Sequence, residues 1–448
     1  MRSLTLLTSL AAASSVLGAP ALADFDSPAS QVIGRGLKHT RKGAVATEAA
    51  PCTEIGAHVL EQGGNAVDAI ISSALCVGTI AAYHSGIGGG GFGIVRFKNK
   101  RGNWAYSNID FRETAPAAAN ETLFAADADG ATLSTIGGLA AGVPGELRGW
   151  EALHQAHGSW PWKKLFGPAI KLARYGYPVN VDLAAAIVEG ASFILADPLW
   201  AETYAPNGTL LVEGDTAHRT RYANTLEQIA EHGADWFYTG ENAATTASAL
   251  LARGGILTVA DLAGYRAVVR DTVNITYRDA RIFSTVAPSS GAVVLSALKI
   301  FENFDGSAPD GSPAINLTTH RLIEATQFAY GQRTQYGDPA FTANVTELQE
   351  YYLRPGVAKE ISVKISDNKT YGLSYYDPSN YTATRESGTS HLAVIDGNQL
   401  AVSLTTTINN YWGSRVMTAN GVILNDEMDE SVFLHRPVLG SPLATATR

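Results

Sequence analysis

The chain has 448 residues, of which 46% are hydrophobic and 17% are charged, and its formal net charge is −9. This composition is typical of a globular protein and excludes intrinsic disorder and a coiled coil, while two Cys are too few for a disulfide-framework mini-domain. The acidic balance, 42 Asp plus Glu against 33 Lys plus Arg, also lacks the basic surface that nucleic-acid phosphates require. We therefore expect no nucleic-acid partner.

The N-terminal segment has the pattern of a secretory signal peptide. Arg2 supplies positive charge, residues 4–17 form an apolar stretch diluted by Ser and Thr, and Ala21-Leu22-Ala23 is a small-x-small cleavage site. The stretch is too short and too polar to span a bilayer, and no other stretch reaches about 18 apolar residues. We expect residues 1–23 to be removed and the protein to be secreted, on the extracellular or cell-wall side, without a membrane span.

Seven Asn-x-Thr sequons are candidate N-glycosylation sites and agree with secretion. They lie at Asn120, Asn207, Asn274, Asn316, Asn344, Asn368 and Asn380. Any Thr-rich chain contains some sequons by chance, so we expect a few of these to remain unused.

The two cysteines fall in a predicted helical hairpin. Pro51 is a good first helical residue, Gly63-Gly64 ends a helix over 51–62, and Asn65 can cap a second helix that runs to about residue 79. Cys52 and Cys76 lie at nearly equal distances from the turn, so antiparallel packing brings them side by side. In a secreted protein this arrangement favours a disulfide over two buried free thiols.

The rest of the chain predicts alternating helices and strands in a layered α/β structure. Predicted strands cover 92–98, 104–111, 273–277, 281–286, 391–396 and 399–408, and predicted helices cover 146–156, 163–175, 222–233, 242–253 and much of 292–336. The Tyr-, Asn- and Ser-rich stretch 339–387 reads as a long exposed loop.

Several common motifs do not fit their required context. Gly86-x-Gly88-x-x-Gly91 matches the dinucleotide fingerprint, but a predicted helix precedes it and a strand follows, which reverses the required order. A tight turn with close backbone packing is the better interpretation. The sequence also lacks a Gly-x-Ser-x-Gly elbow, a His-Glu-x-x-His motif and paired-Cys spacing, so it predicts no metal site and no cofactor.

The informative stretch is Gly388-Thr389-Ser390-His391, where the predicted loop meets a strand. A Thr hydroxyl becomes a useful nucleophile when the chain is cut just before it, because the freed α-amine, with a pKa of about 7.7–8.0, serves as its general base. By itself the stretch also fits an ordinary strand start.

Neighbouring motifs strengthen the catalytic interpretation. Strand alternation places Thr405, Thr407 and Asn409 on one face, and an acidic run follows at 425–430. Separately, these features also fit an ordinary β-face and a solvated turn. With upstream motifs in the same order, they resemble the γ-glutamyltranspeptidase family. Those motifs are Gly63 to Ala69, Gly86 to Phe92, Asp110 to Pro116, Gly142-Val143-Pro144-Gly145, Gly254-Gly255 with Leu257-Thr258, and Pro288 to Gly291.

The resemblance implies an N-terminal-nucleophile hydrolase with a four-layer αββα sandwich, which cuts itself between Gly388 and Thr389 and keeps both pieces as a heterodimer. Residues 24–388 would form the large subunit and 389–448 a shortened small one. By resemblance, Thr389 is the nucleophile and Thr407 hydrogen-bonds and orients it.

Substrate recognition also follows from the resemblance. Arg112 would bind the donor's α-carboxylate, because a planar guanidinium suits a carboxylate. Asn409 and Glu427 would contact its α-amino group, and Glu430 takes the position of a further substrate-binding residue. The γ-glutamyl group of glutathione or a conjugate would pass through an ester on Thr389 to water, an amino acid or a dipeptide, without metal or cofactor.

Two departures from the family stand near the C-terminus. Glu430 replaces an Asp of the family's Met-Asp-Asp-Phe run, and the likeness stops there. The family's Ser-Ser pair for the donor carboxylate and Gly-Gly pair for the oxyanion do not follow, so the C-terminal part of the sandwich is expected to be incomplete. The sequence thus predicts that the 448-residue chain stays largely uncut. The alternatives are an inactive family member, or a related acylase of β-lactam side chains or poly-γ-glutamate.

Overall fold

Strands from distant parts of the chain pair in one sheet. The structure is a computed structural model, and it describes residues 43–124, 132–305, 314–377 and 388–429. The strands are β1 (Gly43–Ala46), β2 (Gly90–Lys98), β3 (Trp104–Asp110), β4 (Tyr177–Pro178), β5 (Thr216–Ala217), β6 (Val268–Arg270), β7 (Val273–Tyr277), β8 (Ala280–Ser284), β9 (Ser390–Asp396) and β10 (Ala401–Thr407). The main sheet is antiparallel, with the order β1-β9-β10-β2-β3-β6, and β4–β5 and β7–β8 form two smaller sheets.

Helices join these strands and include the predicted ones, with ends shifted by a few residues. They are Ala50–Glu61, Ala66–Ile80, Glu146–His157, Trp162–Tyr175, Val181–Glu189, Ala191–Ala196, Pro198–Tyr204, Thr220–His232, Asp235–Tyr238, Gly240–Leu251, Val259–Gly264, Gly291–Phe301, Ile315–Arg333, Val345–Tyr352, Pro355–Ser362 and Leu373–Tyr376, with 3₁₀ turns at Gly138–Ala140 and Pro206–Gly208. Within the described ranges, none of the helices combines the length and hydropathy that a bilayer crossing needs.

The layers follow the order helix, sheet, β-hairpin, helix. One face of the main sheet packs on the helix Ala66–Ile80 and buries residues such as Val394 of β9. On the other face, Tyr106 of β3 stacks on Phe283 of β8 with ring centroids 3.6 Å apart. The hairpin β7–β8 is covered in turn by the helix Gly291–Phe301. This order agrees with the predicted αββα sandwich, and the described part of the second β-layer contains two strands.

The predicted helical hairpin is present. The side-chain oxygen of Asn65 caps the second helix by accepting hydrogen bonds from the backbone N–H groups of Val67 and Asp68, and the Asp68 carboxylate accepts one in return from the backbone N–H of Asn65. A disulfide joins Cys52 and Cys76, whose Cα atoms lie 5.4 Å apart. The two helices therefore form a covalently linked layer beneath the sheet.

The prediction of a long exposed loop over 339–387 is wrong for the described part, which contains three helices. Ala358 and Ile361 are buried against Ile300 and Ala325 of the preceding helices. The stretch is polar overall, so these few apolar positions did not indicate a helix. Tertiary packing of the apolar positions stabilises the helices.

The Gly-rich stretch is a tight turn with close backbone packing, as the sequence predicted. A Cβ atom on Gly88 would lie 2.0 Å from the carbonyl oxygen of Ile423, and one on Gly91 would lie 2.0 Å from that of Thr405. Only glycine permits these approaches, which bring β10 and the segment after it against the start of β2.

Candidate active site

The predicted cleavage site lies at the exposed start of β9. Thr389 is exposed and Gly388 is half-buried, whereas Ser390, the first residue of the strand, is buried. The predicted nucleophile and the predicted cleavage bond are therefore reachable from solvent at the start of a strand. The division of the chain between residues 388 and 389 stays a prediction.

Thr407, at the end of β10, contacts the bond that is expected to be cut. Its Oγ1 donates a 3.0 Å hydrogen bond to the carbonyl oxygen of Gly388 and accepts one of 2.8 Å from the backbone N–H of Asn409. In the uncut chain the acceptor for the Thr407 hydroxyl is therefore the Gly388 carbonyl oxygen. The predicted contact with the Thr389 hydroxyl stays a prediction for the cut enzyme.

Asn409 lies beyond the strand, because β10 ends at Thr407 rather than at residue 408. Its backbone is left-handed, with φ of 74°, so simple strand alternation does not place its side chain. The Asn409 amide is buried and donates a 3.0 Å hydrogen bond to the carbonyl oxygen of Asp426. The turn after β10 is thus tied to the acidic run.

The acidic run is buried rather than a solvated turn. Asp426 is fully buried and accepts hydrogen bonds from the backbone N–H of Asn410 (2.9 Å) and its side-chain amide (2.6 Å). Burial raises the pKa of Asp426 from 3.8 to about 7; the nearby charge of Asp429 adds to the rise, and the hydrogen bonds from Asn410 oppose it. Asp429 in turn accepts a 2.8 Å hydrogen bond from the hydroxyl of Ser134.

Arg112 and Glu427 form a two-point ion pair. Nη1 lies 2.7 Å from Oε1 and Nη2 lies 2.5 Å from Oε2. Arg112 follows β3, where its N–H donates to Asp110 and its carbonyl accepts from the Tyr265 hydroxyl. Its side chain keeps 19% of its surface exposed, while that of Glu427 keeps 5%. A ligand can therefore reach the guanidinium, and the neighbouring carboxylate of Glu113 lies 3.8 Å from Nη1.

Asn425 joins three loops around this pair. Its side-chain amide donates to the carbonyl oxygens of Gly88 (2.8 Å) and Gly142 (3.0 Å), and its Oδ1 accepts from the backbone N–H groups of Gly142 (2.9 Å) and Glu427 (3.0 Å). The Glu427 backbone is therefore fixed by a fully buried amide.

The structure links most of the predicted site residues through one continuous set of contacts. It runs from Gly388 through Thr407 and Asn409 to the segment 426–427 and from there to Arg112. Glu430 lies outside the described residues. Sequence reasoning missed the partners Asn410, Asn425 and Ser134, for which the only sequence signal was the polar composition of the segments around 410 and 425.

The remaining predicted sites lie apart from this set. Sequon asparagines are exposed at Asn120, Asn207, Asn316, Asn344 and Asn368, Asn274 is half-buried, and Asn380 falls outside the described residues. In the described segments, no three His, Cys, Asp or Glu side chains are grouped so as to hold a metal ion.

Comparison with known proteins gives a family match over most of the chain. The family model described as gamma-glutamyltranspeptidase matches residues 52–439. A glutathione hydrolase proenzyme of Arthroderma benhamiae is 44% identical over 406 residues, covering 87% of this chain and 68% of that protein. A glutathione hydrolase of Aspergillus flavus is 42% identical over 394 residues, covering 87% of this chain and 64% of that protein. The chain thus spans about two thirds of the length of these relatives.

Solved structures agree with the family match. The gamma-glutamyltranspeptidase of Helicobacter pylori superimposes with a TM-score of 0.69 at 30% identity, over 78% of this chain and 100% of that one. A cephalosporin acylase from Bacillus halodurans gives a TM-score of 0.75 at 26% identity, over 88% of this chain and 71% of that one.

Proposed function

This chain belongs to the γ-glutamyltranspeptidase family and has the N-terminal-nucleophile hydrolase fold, and from this premise we propose that it is a γ-glutamyltransferase and glutathione hydrolase that cuts itself before Thr389. The observation that carries the proposal is the hydrogen bond from Thr407 to the Gly388 carbonyl oxygen. A donor at that oxygen is what attack on the scissile carbonyl requires.

Self-cleavage proceeds as an acyl shift followed by hydrolysis. The Thr389 hydroxyl oxygen attacks the carbonyl carbon of Gly388, the C–N bond breaks as the nitrogen takes up a proton, and an ester joins the two residues. Water then hydrolyses this ester, which leaves a carboxylate on Gly388 and a free α-amine on Thr389. Thr407 stabilises the negative charge that forms on the carbonyl oxygen.

The freed Thr389 then serves as the nucleophile for transfer. Its hydroxyl attacks the γ-carbonyl carbon of glutathione, and its proton passes through the α-amine to the leaving amine of cysteinylglycine. The γ-glutamyl ester is released by water or by the amine of an amino acid or dipeptide acceptor. The products are glutamate in the first case and a new γ-glutamyl compound in the second.

The Arg112–Glu427 pair provides opposite charges for the zwitterionic head of the donor. A donor α-carboxylate takes the place of Glu427 on the guanidinium, and the donor ammonium compensates the carboxylate that it displaces. With Asn409 buried beside them, the two residues favour donors that carry both an α-amino and an α-carboxyl group.

A related acylase activity is the second candidate, because the fold also matches a cephalosporin acylase. Two chromogenic amides separate the candidates: a γ-glutamyl anilide and the glutaryl anilide that differs from it only by lacking the α-amino group. We expect turnover of the first to exceed that of the second. Faster turnover of the glutaryl anilide would favour the acylase. Release of glutamate from poly-γ-glutamate would identify that polymer as the substrate.

A denaturing gel of the purified chain tests the proposal together with the anilide assay. Two fragments, the smaller one beginning at Thr389, and hydrolysis of the γ-glutamyl anilide would support it and would contradict the expectation from the sequence that the chain stays largely uncut. Thr389→Ala should remove both. A single uncut band without hydrolysis would overturn the proposal and leave the inactive family member.

We also propose that the chain enters the secretory pathway and is glycosylated. The Cys52–Cys76 disulfide and the five exposed sequon asparagines support this proposal, because disulfides persist in oxidising compartments and glycans attach to exposed asparagines. Secreted protein should begin near Asp24 and lose mass on enzymatic deglycosylation. Retention inside the cell with an intact Met1 would contradict it.

A further inference from the structure

A second group of buried oxygen atoms lies directly behind Thr407. The side chain of Thr406 faces away from Thr407, toward the helix that begins at Glu146. Its hydroxyl donates a 2.5 Å hydrogen bond to Oε1 of Glu146 and lies 3.0 Å from the hydroxyl oxygen of Ser85. Glu146 and Thr406 have no exposed surface and Ser85 has 2%, so water does not compete for these bonds.

Glu146 is buried without an ionic partner among the described residues. Its Oε2 has no hydrogen-bond partner there either. Burial raises the pKa of Glu146 well above its ordinary value; the Thr406 hydrogen bond opposes the rise, and the charge of Glu113 adds to it. The tyrosines Tyr222 and Tyr238, which also face it, have pKa values raised by burial and are neutral. Burial therefore favours the protonated form of the Glu146 carboxyl.

Glu146 also reaches Thr407 through the backbone. Its N–H donates a 3.1 Å hydrogen bond to the carbonyl oxygen of Gly89. Gly89 packs so closely on β10 that a Cβ atom there would lie 1.9 Å from the carbonyl oxygen of Thr407. Glu146 thus contacts Thr406 through its side chain, and its backbone N–H binds Gly89, which packs on Thr407.

Ser85 extends the same network to the turn that carries Asn409. The carbonyl oxygen of His84 accepts a 3.0 Å hydrogen bond from Ile408, and that of Tyr83 accepts one of 2.6 Å from Trp412. Three segments therefore meet at the Thr406 hydroxyl: β10, the turn around Ser85 and the start of the helix Glu146–His157.

We propose that Glu146 is a positioning residue, which acts through Thr406 to hold the Thr407 hydroxyl against the carbonyl group of Gly388. The inference rests on the proposed function, because it gives Thr407 its role in self-cleavage. Glu146 touches neither the scissile bond nor the donor site, so its effect passes through Thr406 and β10.

Hydrogen exchange over residues 404–412, combined with the rate of cutting before Thr389, tests this role. The variants are Glu146→Leu, Glu146→Gln and Thr406→Val. The matched control is Glu324→Leu, because Glu324 is also a buried carboxyl with one hydroxyl partner, Tyr376 at 2.7 Å, and one unpartnered oxygen within the described residues. The exchange rates of the backbone N–H groups of Ile408 and Asn409 report directly on the network, because these groups donate to His84 and to Thr407.

We expect Glu146→Leu and Thr406→Val each to speed hydrogen exchange over residues 404–412. Each should also slow cutting by about tenfold, which is the rate change that corresponds to the free energy of one lost buried hydrogen bond. Glu146→Gln should stay close to the wild type, because an amide has the shape of the carboxyl group and its oxygen still accepts from Thr406. The double variant Glu146→Leu/Thr406→Val should be no worse than either single variant.

Two results would overturn the inference. One is unchanged exchange over 404–412 in both Glu146→Leu and Thr406→Val. The other is exchange that rises equally in the helix Ala66–Ile80, which would indicate a general loss of stability. If even the wild-type chain is never cut, the proposed function fails, and the exchange data still decide the positioning role.

Discussion

The hydroxyl of Thr407 donates a hydrogen bond of 3.0 Å to the carbonyl oxygen of Gly388. In the proposed self-cleavage this oxygen gains negative charge when the Thr389 hydroxyl attacks the adjacent carbon, and a preorganised donor stabilises that charge. The backbone N–H of Asn409 donates to the Thr407 oxygen and so turns the hydroxyl proton toward Gly388. Thr407 is thus placed to act in self-cleavage, before any substrate is bound.

The first prediction follows from this contact. Thr407→Val keeps the shape of the side chain but removes the donor, and it should slow cutting before Thr389 by about 10²–10³, the usual loss for one oxyanion donor. Thr407→Ser should retain most of the rate. Gel densitometry against time after synthesis measures both.

Thr405→Val is the matched control, because Thr405 lies on the same strand but its hydroxyl contacts His391, at 2.9 Å. It should cut at close to the wild-type rate. Equal slowing in Thr405→Val and Thr407→Val would mean that any loss of polarity on β10 impairs the strand.

The second prediction concerns donor recognition. Arg112→Lys keeps the charge but loses the two-point contact, so it should raise KM for a γ-glutamyl donor by about 10- to 100-fold. Self-cleavage should persist, because Arg112 pairs with Glu427 and not with Gly388. Steady-state kinetics and the gel measure the two effects.

Arg253→Lys is the control for this change, since Arg253 pairs with Asp197 away from the site at 2.6 Å. Its KM should equal that of the wild type. A KM that is also unchanged in Arg112→Lys would mean that Arg112 has only a structural role.

The third prediction concerns the disulfide. Cys52 and Cys76 are separated by 24 positions, and opening a loop of this size should lower the free energy of unfolding by about 3 kcal/mol. Cys52→Ala/Cys76→Ala should therefore lower the urea concentration at the midpoint of unfolding. Because both cysteines are in the disulfide, denatured, non-reduced protein should show no titratable thiol. Two thiols per chain would contradict the disulfide.

The helical hairpin was predictable because its signals are local. Pro51 and Asn65 act on the backbone within one helical turn, so their effects do not depend on the rest of the fold. The helices within 339–377 could not be found in this way. Their formation depends on packing Ala358 and Ile361 against helices distant in sequence, which composition does not reveal.

The sequence names the residues of the candidate site but does not predict their contacts. Arg112 and Glu427 are 315 positions apart, and Thr406 and Glu146 are 260 apart. Rules based on local sequence do not predict which distant segments come into contact. The Arg112–Glu427 ion pair and the network behind Thr407 form only when β10 packs against the Gly-rich turn. The same rules left a solvated turn open as an alternative for the acidic run, because burial of Asp426 depends on that packing.

The last prediction concerns pH. Asp426 has a pKa of about 7 in the folded chain against 3.8 for the ordinary group, so the folded state binds this proton more tightly than the unfolded state. Its contribution to stability is fully present below about pH 4 and is lost as the pH rises through about 7, and its size is about 4 kcal/mol. Urea unfolding at several pH values should show this loss in the wild type.

Asp426→Asn should remove this part of the pH dependence, because an amide does not titrate. The difference in unfolding free energy between the two proteins therefore isolates Asp426 from the other acids. Asp429→Asn should shift the loss to lower pH, since the Asp429 charge helps to raise the pKa of Asp426. Parallel curves for the wild type and Asp426→Asn between pH 4 and pH 8 would show that Asp426 is already ionised in the folded chain, with Asn410 supplying enough hydrogen bonding to offset its burial.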